Sequence, residues 1–166
     1  VVEGGAFWYA DRSRPCPDLQ FHFLAGAGAE AGVPSVPKGA SGITLNSYTL
    51  RPKSRGSVTL RSADPRAQPV VDPIFLSHPD DLRCSVEGVK ISREIFSQPS
   101  LAKYIREIRY PDHTVRTQAD YEAFARQYGR TSYHPVSTCR MGQDRDPQAV
   151  VDPAGKVIGM QNLYVA

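Results

Sequence analysis

The sequence predicts an α+β fold, an antiparallel sheet with helices packed beside it. Three observations predict it. Residues 19–25 alternate apolar and polar side chains with period two, the mark of a half-buried strand. Residues 80–97 repeat apolar side chains every three or four positions, as an amphipathic helix does. β-rich runs come first, with helical stretches between and after them, an order that suits antiparallel pairing.

Each element has its own justification. In 19–25, Leu19, Phe21, Phe23 and Ala25 share one face, and Gln20 and His22 share the other. Residues 26–42 are rich in Gly, Ala, Ser and Pro and read as a long loop. Residues 43–50 are β-rich, 51–56 form a turn, and 57–61 alternate again, so 43–50 and 57–61 are expected to pair as a hairpin. In 80–97, Leu82, Val86 and Val89 make one apolar stripe, and Cys84, Gly88, Ile91 and Ile95 make a second. Two stripes imply a helix covered on more than one side. Ser77 or Asp80 is expected to cap its start and Pro99 to stop it. A second helix is expected over 118–128, opened by a Thr117–Asp120 capping box and ended by Gly129. Tyr121, Phe124, Ala125 and Tyr128 line its apolar face. Residues 149–152 and 162–165 are short β-like runs.

The chain has 166 residues, enough for one domain with a tail and a real core. Its net charge of +3 is spread along the chain and gives no reason to expect a nucleic-acid partner. No apolar run approaches the roughly 20 residues of a membrane-spanning helix, and none opens the chain as a secretory leader. Cys16, Cys84 and Cys139 are widely spaced and odd in number, which suits neither a disulfide framework nor a zinc site. A cytoplasmic location is expected. The acidic residues Asp144, Asp152 and Asp146 are too scattered for a regular metal loop, so no metal site is expected. Val1 opens the chain abruptly and Ala166 ends it inside a β-like run, which reads as part of a longer protein.

Gly26, Gly28 and Ala31 match the G-x-G-x-x-A pattern of a dinucleotide-binding turn. Pro34 and Pro37, however, would break the helix that must follow and hold the pyrophosphate. No acidic residue lies in 46–54 to take the ribose hydroxyls. The segment reads instead as a surface loop or a lid over a pocket.

The chemistry sits in 132–142. Pro135 fixes its own φ and biases His134 toward an extended backbone, which holds the imidazole stiffly. A histidine, with an unperturbed pKa near about 6.5, can take a proton near neutrality, so His134 is a candidate base.

From Tyr133 onward the sequence resembles the C-terminal signature of the glucose–methanol–choline (GMC) family of flavin-dependent oxidoreductases. The residues that carry the likeness are His134-Pro135-Val136-Ser137-Thr138-Cys139-Arg140-Met141-Gly142, Ala149-Val150-Val151-Asp152 and the run 157–166. The segments 17–23, 51–65 and 71–82 are similar to that family too, so the likeness runs in order along nearly the whole chain. It is nearest to the choline-dehydrogenase-like and alcohol dehydrogenase branch.

The resemblance implies an FAD-dependent oxidation of an alcohol to an aldehyde or ketone. His134 would accept the hydroxyl proton while hydride passes from the carbinol carbon to the flavin. Tyr133 would wall the substrate pocket, or else serve ordinary aromatic packing. Ala166 is expected at a flavin contact. Ser137 departs from the family, where Gly is common, and this bears on the turn. The resemblance also implies a sheet of about six strands with helices on one face and the flavin pocket under the other. Residues 1–131 would be the substrate-binding domain, and 132–166 the catalytic-histidine segment and start of the return to an FAD domain outside this sequence. The chain alone is then expected neither to hold FAD nor to oxidise alcohols. It is expected to expose an apolar docking face and to self-associate through it. The rival reading is a free-standing α+β binding or assembly module that kept the fold without the redox chemistry.

Other polar residues receive blander readings. His22 points away from the phenylalanines of its strand and reads as a solvent-facing histidine that could reach a pocket. His78 and His113 lie in loops and are given no role. Arg51, Lys53 and Arg55 read as a solvated basic turn. Cys139 would be reactive only beside a cation that lowers its pKa, and Arg140 is its sequence neighbour.

Overall fold

The computed structural model describes residues 2–27, 39 and 41–165. Most of the glycine-rich loop, including the remainder of the G-x-G-x-x-A match, lies outside the described residues, as does Ala166. The chain divides into two compact units, one of residues 1–55 and 74–130, the other of 56–73 and 131–166.

The first unit carries a three-stranded antiparallel sheet in the order β1 (Gly4–Trp8), β2 (Leu19–Leu24), β3 (Thr44–Thr49). Its helices are α1 (Pro79–Ser97), a short α2 (Pro99–Ala102) and α3 (Gln118–Tyr128). The predicted alternation of β2 is realised at its start. Leu19 and Phe21 are buried, while Gln20 and His22 are half-buried on the other face. Helix α1 lies on the Leu19 face. A Cβ added at Gly88 would sit 2.6 Å from Ser47 Oγ and 3.1 Å from Leu19 Cδ2, so glycine is what lets helix and sheet approach.

The two stripes of α1 serve two partners. Cys84 joins Leu19 and Phe21 in one core cluster, with Ile91 and Leu45 packed against it. Leu82 and Val86 join Ala125 of α3 in a second, with Tyr121 beside them. The cap of α1 differs from expectation. His78 is the N-cap, and its Nδ1 accepts the Asp80 N–H at 3.1 Å. At α3 the Thr117–Asp120 capping box forms as expected: Thr117 Oγ1 accepts the Asp120 N–H at 3.2 Å, and Asp120 Oδ2 accepts the Thr117 N–H at 2.8 Å.

The second unit holds a two-stranded antiparallel ribbon of β4 (Ser57–Thr59) and β5 (Val70–Asp72), and a tail joined by isolated bridges. Here two expectations are corrected. The described residues form five strands in two sheets, fewer than the six expected. The hairpin of 43–50 with 57–61 is also absent: β3 pairs with β2, and β4 takes β5 as its partner. The cause lies in 51–55. Buried Asp81 accepts the backbone N–H of Lys53 at 2.9 Å and that of Ser54 at 2.7 Å, together with the Ser54 hydroxyl at 2.5 Å. Arg51, at φ 53°, donates to the Pro17 carbonyl. Pro52 has no N–H for a ladder. The segment is thus bonded to the entry of α1 and does not continue a strand. Arg51 and Lys53 are exposed, in line with the solvated turn expected, while Lys53 also pairs with Asp80.

The β-like runs of the tail become bridges, Met141 with Val151, Val151 with Val157 and Lys156 with Tyr164. Asp152 Oδ1 organises the turn between them by accepting the N–H groups of Ala154 at 2.8 Å and Lys156 at 2.9 Å.

Candidate active site

His134 lies in the segment that follows α3, within the second unit. It is exposed, and among the described residues its imidazole has no hydrogen-bond partner, so both ring nitrogens are open. The residues around it are constrained. Tyr133 has φ 62° and Ser137 has φ 70°, both in the left-handed region that L-residues occupy at a cost. Such conformations persist where surrounding bonds fix them, and they cluster at functional sites.

Those bonds are visible on both sides. Upstream, Thr131 Oγ1 accepts the Tyr133 N–H at 3.0 Å. Downstream, the Arg140 carbonyl accepts the N–H groups of Val150 at 2.8 Å and Val151 at 3.2 Å, and Gly142 N–H donates to the Val151 carbonyl at 2.9 Å. The Arg140 guanidinium grips Asp146 Oδ2 at 2.6 Å and Gln148 Oε1 at 2.9 Å. Arg140 is therefore the clamp of this loop. The sequence reading weighed it only as a neighbour of Cys139, and the signal that could have found it is the Asp146 carboxylate six residues on.

Tyr133 and Val136 stand open on either side of His134, with 78% and 81% of their surface exposed. An unpartnered imidazole flanked by uncovered aromatic and apolar side chains fits a site completed by a planar organic group or substrate laid over it. Tyr133 and His134 are chain neighbours, both exposed in this loop. Ala166 lies outside the described residues. Among the described residues no cluster of three or more His, Cys, Asp or Glu could hold a metal ion, and no helix is long and apolar enough to cross a membrane. All three cysteines are free.

One polar cluster was not assembled by the sequence reading. On the sheet face turned away from α1, Gln20 Nε2 lies 3.1 Å from His22 Nε2, and the His22 and Tyr48 rings meet at 4.7 Å. Period two placed Gln20 and His22 on one face. Only the β2–β3 register, with Gln20 opposite Tyr48 and His22 opposite Asn46, adds the others.

A GMC oxidoreductase family model matches residues 52–166. The chain belongs to the GMC oxidoreductase family. It is 41% identical over 165 residues to an alcohol dehydrogenase (acceptor) of Pseudomonas putida, covering 99% of this chain and 29% of that protein. It is 37% identical over 164 residues to the mitochondrial choline dehydrogenase of Homo sapiens, covering 99% of this chain and 27% of that protein. Among solved structures, pyridoxine 4-oxidase from Mesorbium loti superposes with a TM-score of 0.82 at 26% identity, over 99% of this chain and 32% of that one. A structure on FAD modification in formate oxidase from Aspergillus oryzae RIB40 gives 0.77 at 27% identity, over 92% of this chain and 27% of that one. The chain thus spans less than a third of the length of each of these relatives.

Proposed function

We propose that this chain is the substrate-binding part of an FAD-dependent enzyme that oxidises an alcohol to a carbonyl compound, with His134 as the base. The observation that carries the reading is the exposed, unpartnered imidazole of His134, held between two left-handed residues in a loop clamped by Arg140. FAD, when bound, supplies the acceptor for the hydride that leaves the carbinol carbon. His134 takes the hydroxyl proton at a ring nitrogen, which lets the C–O bond close to a carbonyl as the hydride departs. Tyr133 lies beside the base as a wall for the alcohol. Pro135 and the Arg140 clamp keep the imidazole in place, so little ordering is left to be done when substrate arrives. In this reading 1–131 bind substrate and 132–166 bring the base and begin the return to the flavin-binding part, with Ala166 near the flavin. The chain by itself then lacks the hydride acceptor and does not turn over.

The test is His134→Gln in the complete FAD-loaded gene product. Loss of a positioned base is expected to lower kcat by roughly 10²–10⁴-fold while flavin content stays at the wild-type level. A variant that keeps its kcat removes His134 from the mechanism. Turnover by the chain alone, given FAD and a dye acceptor, would sink the claim that it needs the remainder of the protein.

A further inference from the structure

We propose that Asp146 is a positioning residue for His134, acting through Arg140. The proposal rests on the functional reading above and adds the acidic anchor on which the placement of the base depends. His134, Arg140 and Asp146 all belong to the second unit.

Every residue from Tyr133 to Arg140 is exposed, so burial within this chain does not fix the loop. Its attachments do. The downstream attachment is the folded segment 140–151, which Arg140 enters with both its carbonyl and its guanidinium. Asp146 is where the two arms of that segment meet. Its Oδ2 accepts the Arg140 guanidinium at 2.6 Å, on the arm that leads back to His134. Its Oδ1 accepts the Gln148 N–H at 3.0 Å, on the arm that runs on to buried Val151. The Asp146 backbone is held as well: its N–H donates to the Gln143 carbonyl at 2.8 Å, and its carbonyl accepts the Ala149 N–H at 3.0 Å. Gly142 lets the arms close. A Cβ there would lie 2.8 Å from Ala149 Cβ and 3.2 Å from Asp146 Oδ2.

The ion pair matters here for orientation more than for stability. Its side chains keep 42% and 28% of their surface, and an exposed pair adds little to the stability of a fold. The guanidinium is a rigid planar fork, however, and two acceptors in different directions, Asp146 and Gln148, fix its plane. Without Asp146 the fork keeps one neutral partner and is free to turn about it. The 140 end of the loop then drifts, and the base six residues upstream drifts with it. A misplacement of about 1 Å can cost on the order of 10²-fold in rate. A pair of small energetic weight can therefore carry a large share of the turnover.

The experiment is a double-mutant cycle in the complete FAD-loaded gene product, with whichever of choline, benzyl alcohol and 1-hexanol it turns over fastest. Asp146→Ala is expected to lower kcat about tenfold, with KM within about twofold of wild type and flavin content unchanged. In a His134→Gln background the same change is expected to cost less than about twofold, because a residue that acts through the base has nothing left to position. Asp146→Asn keeps the shape and gives up the charge, and is expected to lose about threefold in kcat; it serves if the alanine variant fails to hold flavin. Hydrogen exchange at the Gly142, Val150 and Val151 amides is expected to quicken about fivefold in Asp146→Ala. Wild-type kcat in Asp146→Ala, where His134→Gln is impaired, overturns this inference and leaves the functional reading standing. A full tenfold loss that persists in the His134→Gln background reduces Asp146 to a structural role and overturns it too. Unchanged exchange at those three amides overturns it whether or not an alcohol is turned over. Wild-type kcat in His134→Gln overturns the functional reading, and this inference with it.

Discussion

Asp81 gathers three donors at the entry of α1 while being 4% exposed, and its protonation state is a stability question. Burial by itself would raise its pKa, but the Lys53 and Ser54 N–H groups and the Ser54 hydroxyl outweigh it and hold the carboxyl below its ordinary value. A depressed carboxylate stabilises the fold above the ordinary aspartate pKa near about 3.9, and that stabilisation is lost as pH falls through the lower native value. Asp81→Asn puts an amide N–H against those donors and is expected to cost about 2–3 kcal/mol at pH 7. Urea titrations at pH 7 and pH 3 check this, with the gap between wild type and variant narrowing at pH 3. A constant gap would mean that packing, not charge, is what Asp81 supplies. Ser137 sits at φ 70°, in the left-handed region that glycine favours. Ser137→Gly is expected to stabilise the loop by roughly 0.5–1 kcal/mol, and the β-branched Ser137→Val to destabilise it by at least about 1. Amide hydrogen exchange over 131–142 reads both, and slower exchange in Ser137→Val would contradict the argument.

Among the elements, α1 closes on Ser47 of its sheet at Gly88, the one helix position that has no side chain. Gly88→Ala would gain about 1 kcal/mol of helix propensity. It would also drive a Cβ to 2.6 Å from Ser47 Oγ and 2.8 Å from Ser47 Cβ, both attached to a strand that cannot swing aside. The clash is expected to win, with a net loss of about 1–3 kcal/mol by urea unfolding. Ser47→Gly in the same chain is expected to return most of that loss, because the two sites act through one contact. Independent, additive losses would mean that the helix relaxes elsewhere. Helices α1 and α3 and strand β2 were legible because each follows a local rule, the two stripes of α1, the Thr117–Asp120 box and the alternation of Leu19 and Phe21, whereas the short α2 was not expected. Strand β1 was not legible, since Gly4 and Gly5 carry no strand propensity and the pairing with β2 forms it. The expected hairpin failed for a related reason: the donors of Lys53 and Ser54 are claimed by Asp81, 27 residues on from Ser54, which no local pattern announces. The candidate site divides in the same way. Proline after His134 marked the loop, whereas the Arg140 grip depends on a contact with Asp146 that no local pattern announces.

For the whole molecule, the two units differ in how much they bury. The unit of 1–55 and 74–130 has two core clusters built on Leu19, Phe21, Leu82 and Val86. Among the described residues of the other unit, Val151 is the single buried hydrophobic side chain, and Val58, Leu60, Val71, Met141, Met160 and Tyr164 are exposed. Ordering one residue costs roughly 1–2 kcal/mol of backbone entropy, and fully burying one valine recovers only about 1.5–3 kcal/mol. The bridges and the Asp152 turn fix geometry, and beyond Val151 they leave Val157 and Ile158 only half-buried. The second unit must therefore draw stability from surfaces beyond its own. Limited proteolysis of the isolated chain is expected to cut first within 56–73 and 131–165, while α1 and the three-stranded sheet stay protected. The same uncovered side chains are expected to make the isolated chain associate as concentration rises, which sedimentation velocity would detect. The proposed function requires the 131–165 cuts to slow at least tenfold in a complete FAD-loaded gene product, because the loop that holds His134 would then have partners on its open sides. Equal cutting rates in the two settings would show that the loop owes nothing to the remainder of the protein. The case for His134 as a base completed from outside this chain would then lose its physical footing.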